Sequence, residues 1–291
     1  MRRALLAIAP AVALLLAACG SSSGGSSSSS SSASGSTSAS ATCSPSSLQT
    51  IQSGVLTVAT GDPAYPPWVV DNKPESGKGF EAAVAYAVAK KLGYTDAQVK
   101  WIRTGFDEVI KPGPKNFDFN IQQFSINDQR KKAVDFSSGY YDLTQAVVSY
   151  EGSPIAKAKT VSDLKNAKLG AAVGTTSLTA IQNVIQPTNQ PSVFNSNADA
   201  VTALKNKQID GLVVDLPTAF YLAGAEIPKG TIVGQLPNTA DQKEQLGLLL
   251  AKNSPLTTCV TQAVDALRAD GTLASLQDQW LAQQGAPVLG S

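Results

Sequence analysis

Short apolar runs that end in turn residues alternate along this chain with segments whose apolar positions recur every three or four residues. The run VLTVAT (Val55–Thr60) ends in Gly61-Asp62-Pro63 and reads as a strand feeding a loop. Downstream, Phe80, Ala83, Val84, Ala87, Val88, Lys91 and Leu92 share one helical face and Gly93 closes the segment, so the spacing predicts a one-sided helix. Further strand-like runs are Val99–Ile102, Phe117–Ile121, Lys168–Val173, Ile209–Val214 and Leu246–Ala251, with helical spacing over Ser177–Ile185, Ala198–Lys205, Pro255–Ala269 and Leu273–Gln283. This alternation predicts an α/β fold of mostly parallel sheets covered by helices. Ligands in such sheets bind outside the carboxyl ends of strands. Four loops qualify: GDPAYPPW, QQFSINDQR, GTTS and DLPTAF.

A chain of 291 residues has room for two cores. Its 23 Lys and Arg stand against 22 Asp and Glu; without Arg2 and Arg3 the balance is 21 against 22, a net of −1. Such a balance offers no electrostatic footprint for nucleic acid. With no His anywhere, His-based triads, His acid–base chemistry and the usual zinc sites are excluded, and no metal or other cofactor is expected. Met1 is the only Met, so no Met-rich binding surface is available.

At the amino end, Arg2 and Arg3 precede an apolar stretch from Ala4 to Leu16 and small residues before Cys19, the pattern of a secretory signal. The stretch is shorter than the roughly 20 apolar residues that a spanning helix needs. Leu16-Ala17-Ala18-Cys19 resembles a bacterial lipobox, which predicts a signal peptide over 1–19 with lipid attached at Cys19; a plainly cleaved signal is the other reading. Residues 20–47 are mostly Ser, Gly, Ala and Thr and are expected to form a tether that buries no core. Cys43 and Cys259 then remain as an even pair in an oxidising compartment, and a disulfide is predicted between them. The other reading is a buried free thiol at Cys259 beside an unrelated Cys43.

Several strings recur in a telling order: Tyr65-Pro66-Pro67-Trp68, Gly79-Phe80-Glu81, Phe106-Asp107, Ser125-Ile126 with Arg130, Val134-Asp135-Phe136-Ser137 and Gly174-Thr175-Thr176. They end with Asp270-Gly271-Thr272-Leu273-Ala274 and Trp280. In this order, from about Leu48 to Leu281, they resemble the family 3 solute-binding proteins, the polar-amino-acid receptors of ABC importers. The resemblance implies the two-lobe type II periplasmic-binding-protein fold, with 48–147 plus 241–284 as lobe 1, 148–240 as lobe 2 and 285–291 as a tail. It also implies an amino acid ligand, an ABC transporter permease as membrane partner, a lipid anchor at the outer face of the cell membrane, and a monomer.

The same resemblance gives roles to residues that have humbler readings by themselves. Arg130 would fork the ligand carboxylate, although next to Lys131 and Lys132 it reads as a solvated surface Arg. Ser125 and Thr176 would add donors to that carboxylate; Thr175 or Thr176 is equally a helix cap. Asp215, which precedes Leu216-Pro217, would accept the ligand ammonium, with capping as its other role. Tyr65, Trp68 and Phe106 match aromatic positions that flank the ligand, while Trp68 suits a core as well. Asp62 is either a side-chain acceptor or a turn former. Gln122-Gln123-Phe124 replaces the usual small residues before Ser125, and Gln123 is expected to point into the pocket, where its amide can donate or accept. Two other readings stand beside the receptor: an enzyme on the same fold, such as a dehydratase of cyclic amino acids, and a surface sensory or interaction lipoprotein.

Overall fold

A computed structural model describes residues 43–237, 244–281 and 285–290 of the chain. The predicted signal peptide, Cys19 and the tether up to residue 42 lie outside the described residues. Strands β1 (Leu56–Thr60), β2 (Val99–Arg103), β3 (Phe119–Asn120), β4 (Val134–Leu143) and β10 (Glu244–Ala251) form one five-stranded sheet in the order β2-β1-β3-β10-β4. A second sheet joins β5 (Gln145–Tyr150), β6 (Leu169–Ala172), β7 (Ser192–Phe194), β8 (Gly211–Asp215) and β9 (Gly230–Gln235) in the order β7-β6-β8-β5-β9. Helices flank both sheets, α2 (Phe106–Val109) and α5 (Asn197–Lys205) among them, giving the two-lobe type II periplasmic-binding-protein fold.

Each sheet is mixed but mostly parallel, with four strands running one way and a single strand, β10 or β5, against them. β1 runs parallel to β2 and β3, and β6 to β7 and β8, but β10 and β5 pair antiparallel with both of their neighbours. The cause is connectivity: β5 and β10 arrive straight from the other lobe, so no helical crossover brings them back in the parallel sense. The first passage occurs at Thr144, between β4 and β5, so Gln145–Val147 already belong to the second sheet, three residues earlier than the resemblance implied. The second falls somewhere between β9, which ends at Gln235, and β10, which begins at Glu244; residues 238–243 are outside the described residues.

Helix α1 (Phe80–Lys91) buries Phe80, Val84, Ala85, Val88 and Ala89 with the following Leu92, while Lys91 is exposed and paired with Asp270 at 2.7 Å. The buried face is thus rotated by one position from the predicted one, because the helix packs both on the sheet and against α7 (Thr257–Ala269) and α8 (Thr272–Trp280). Gly79 at φ +103° fixes how this helix begins: a Cβ there would lie 2.5 Å from the Trp68 carbonyl. That close approach lets Pro67 O and Trp68 O accept from the N–H groups of Phe80 and Glu81.

Cys43 and Cys259 form a disulfide with Cα atoms 5.5 Å apart, fastening the start of the described chain to α7 in lobe 1. The carboxyl end, expected as a tail, is docked in its described part. Residues 285–290 lie along lobe 2, where Leu289 N donates to Gln235 O at 2.9 Å and Val161 N donates to Gly290 O at 2.8 Å. Leu289 is buried in the lobe 2 core, and burial of that one apolar side chain explains why the segment docks.

Candidate functional site

The carboxyl ends of the parallel strands in both sheets face one cavity of about 190 Å³. Lobe 1 supplies the segments that follow β1, β2 and β3; lobe 2 supplies those that follow β6, β7 and β8. Its lining includes Asp62, Tyr65, Phe106, Gln123, Thr176 and Asp215 from the residues singled out in the sequence. Ser125, Arg130 and Trp68 are outside that lining and instead bond across to lobe 2, at Thr176, Gly174 and Thr218.

Arg130 belongs to the short helix α3 (Asp128–Lys131), opened by Asn127, whose Oδ1 accepts from Arg130 N at 2.8 Å. Its guanidinium is buried against the Phe106 and Phe124 rings, 5.4 and 5.9 Å from their centroids, and those rings stack at 4.6 Å. Arg130 Nη1 donates to Ser125 O at 2.8 Å, and Nη2 reaches across to Gly174 O of lobe 2 at 2.9 Å. Burial lowers the Arg130 pKa, opposed by the charges of Glu244 and Asp215. Beside this bond the hydroxyls of Ser125 and Thr176 meet at 3.2 Å, so the lobes are closed on one another. Thr175 is the residue that caps α4 (Thr176–Ala180), its Oγ1 accepting from Leu178 N, which leaves the Thr176 side chain to the cleft.

Three carboxylates gather on the opposite side of the charge balance. Asp215 ends β8 and makes no cap bond to the helix α6 (Leu216–Tyr221) that follows it. Burial, then the Glu244 charge, pushes its pKa up to about 8. Glu81, on the first turn of α1, is fully buried and raised by burial to about 7, while bonds from Tyr140 and from the backbone and side chain of Gln123 work in the other direction. Glu244 opens β10 with one carboxylate oxygen, Oε1, buried and unpartnered. Gln145, the first residue after the Thr144 passage, ties this group together. Its Nε2 lies 3.1 Å from Asp215 Oδ1, 3.3 Å from Glu244 Oε2 and 3.4 Å from Thr176 Oγ1, and its Oε1 accepts from Ser177 Oγ at 2.7 Å.

Glu81, Gln122, Gln145 and Glu244 were missed by sequence reasoning. Glu81 carries a signal, a lone acid on an apolar helix face; the others become visible only when the strands assemble. Among the described residues, no group of three or more His, Cys, Asp or Glu could hold a metal ion.

Residues 56–283 match the bacterial extracellular solute-binding proteins, family 3, and the chain belongs to that family. It is 29% identical over 224 residues to the L-arginine-binding protein of Pseudomonas aeruginosa, covering 75% of this chain and 84% of that one. Among solved structures it resembles an ancestral arginine-binding protein bound to arginine, with 30% identity, a TM-score of 0.65, and coverage of 78% of this chain and 98% of that one. It also resembles an ancestral amino acid-binding protein described as a precursor of cyclohexadienyl dehydratase, at 29% identity and a TM-score of 0.64, over 78% and 95% of the two chains.

Proposed function

We propose that this protein is the substrate-binding component of an ABC importer, which captures an amino acid between its lobes and delivers it to a membrane permease. The observation that carries the reading is the meeting of Arg130 and Ser125 from lobe 1 with Gly174 and Thr176 from lobe 2, beside the half-buried Asp215 carboxylate on the cavity wall. A cation with hydroxyl donors suits the ligand carboxylate, and Asp215 suits its ammonium. Tyr65 and Phe106, both at the cavity wall, offer flat faces to the side chain. Lipidation at Cys19 would hold this receptor at the outer membrane face, with the Ser-rich segment as a leash.

An enzymatic reading would draw on Glu81, whose pKa burial pushes up to about 7. Both Glu81 oxygens already accept hydrogen bonds from Tyr140 and Gln123, which favours a structural acid over a proton shuttle. Calorimetric titration of the ligand-stripped protein with the common amino acids tests the proposal. Saturable binding of one or a few of them, with no product formed, is expected; turnover of a cyclic amino acid instead would replace a receptor with a lyase.

A further inference from the structure

The family resemblance drew attention to Gln123, yet it is the neighbouring glutamine that is left with an unmet polar atom. Gln123 has φ +49°, and its N–H and amide both turn to Glu81. Gln122 lines the cavity, and its carboxamide oxygen is buried without a hydrogen-bond partner. The amide lies over Gly61, where a Cβ would come within 2.7 Å of Gln122 Nε2, so glycine there makes room for it. Gly61 is followed by Asp62, which also lines the cavity and accepts from Asn72 Nδ2 at 3.3 Å. Arg103 holds this loop through Gly61 O at 2.6 Å and Asn72 Oδ1 at 2.8 Å. The lining contributes Asp62, Asp107 and Asp215 but, among the described residues, no Lys or Arg.

Resting on the amino acid reading above, we infer that Gln122 is a specificity residue: its buried carboxamide oxygen accepts an N–H from a ligand side chain that ends in a guanidinium or carboxamide. A buried acceptor gains most from a ligand that supplies the missing donor, and a side chain without one leaves it stranded. The acidic lining turns away ligands with an additional carboxylate. Tyr65 and Phe106 line the same cavity and suit the flat end of such a side chain.

The test is calorimetry on wild type, Gln122→Ser and Gln122→Glu with arginine, glutamine, lysine, glutamate and norleucine as probes. Arginine or glutamine should bind best to wild type. Gln122→Ser should shrink the preference for that ligand over norleucine by about tenfold or more, the worth of one buried hydrogen-bond partner. Gln122→Glu, which keeps an acceptor but removes the amide donor, should retain the preference for arginine. An apolar or acidic best ligand overturns this inference and leaves the receptor reading intact. Equal loss of affinity for every probe in Gln122→Ser, or loss of the arginine preference in Gln122→Glu, also overturns it. If no amino acid binds at all, the receptor reading fails and takes the inference with it.

Discussion

The indole N–H of Trp68, on the lobe 1 loop after β1, donates to Thr218 Oγ1 on α6 of lobe 2 at 2.8 Å. Trp68 is 2% exposed, so this is a bond across the closed cleft that solvent does not share. A neutral buried bond of this type is worth about 0.5–1.5 kcal/mol. Thr218→Val should therefore weaken every ligand by roughly two- to tenfold, without altering the ranking of ligands. Scattering from the ligand-free variant should report a more open particle. A changed ranking would place Trp68 against the ligand instead of against the opposite lobe.

The charges at the cleft should act on binding more than on folding. Arg130→Ala and Asp215→Asn should each cost roughly 2–5 kcal/mol of affinity, about 30- to several-thousand-fold. Decarboxylated and N-acetylated analogues of the best ligand should fail in the same way. Because Arg130 also bonds Ser125 O and Gly174 O, the melting temperature of each variant is the necessary control. Binding within threefold of wild type in both variants would rule out the paired-charge arrangement.

Stability should depend on pH through the two carboxyls whose pKa values the fold raises. Asp215 and Glu81 have ordinary values of 3.8 and 4.5 and are raised to about 8 and about 7 in the fold. Between the ordinary and the raised values the folded chain holds protons that the unfolded chain has released, so stability falls as pH rises. Ligand-free protein should therefore melt at a lower temperature at about pH 8 than at about pH 5, and Asp215→Asn should flatten part of that slope. An ammonium beside Asp215 favours its ionised form, so ligand affinity should increase over the same range. A melting temperature that climbs steadily from acid to mild base would contradict this assignment.

The docked carboxyl end is open to a simple packing test. Leu289 is 2% exposed in the lobe 2 core, and removing a buried leucine side chain costs about 2–5 kcal/mol. Leu289→Ala should lower the denaturant midpoint, whereas Val288→Ala, at a residue 61% exposed, should not. Equal midpoints for the two variants would mean that this end contributes nothing to the lobe.

Lipidation at Cys19 makes a prediction of its own. Cys19→Ser should release the protein into the medium with unchanged ligand affinity. Mass spectrometry of the wild-type mature chain should find an acylated cysteine at its amino end; an unmodified one would disprove the anchor.

The sequence by itself determined the alternation of strands and helices, the parity that pairs Cys43 with Cys259, and the order of the polar loops. Those features depend on local spacing and composition, which a linear chain displays directly. Tertiary structure alone decided which neighbour does what. Gln123 stays on the cavity wall, but its positive φ brings its N–H and amide to Glu81, 42 residues earlier, so its donors are already engaged. Gln122, on the same wall, is the one whose buried amide oxygen has no partner. Trp68 reads locally as an aromatic on a ligand loop, and only the approach of Thr218, 150 residues later, makes it a bond between lobes. Gln145 reads as one more residue of a strand until closure surrounds its amide with Thr176, Ser177, Asp215 and Glu244. Periodicity records which face of an element is apolar; side-chain direction within a cleft is set by hydrogen bonds from distant segments, and no local pattern encodes those.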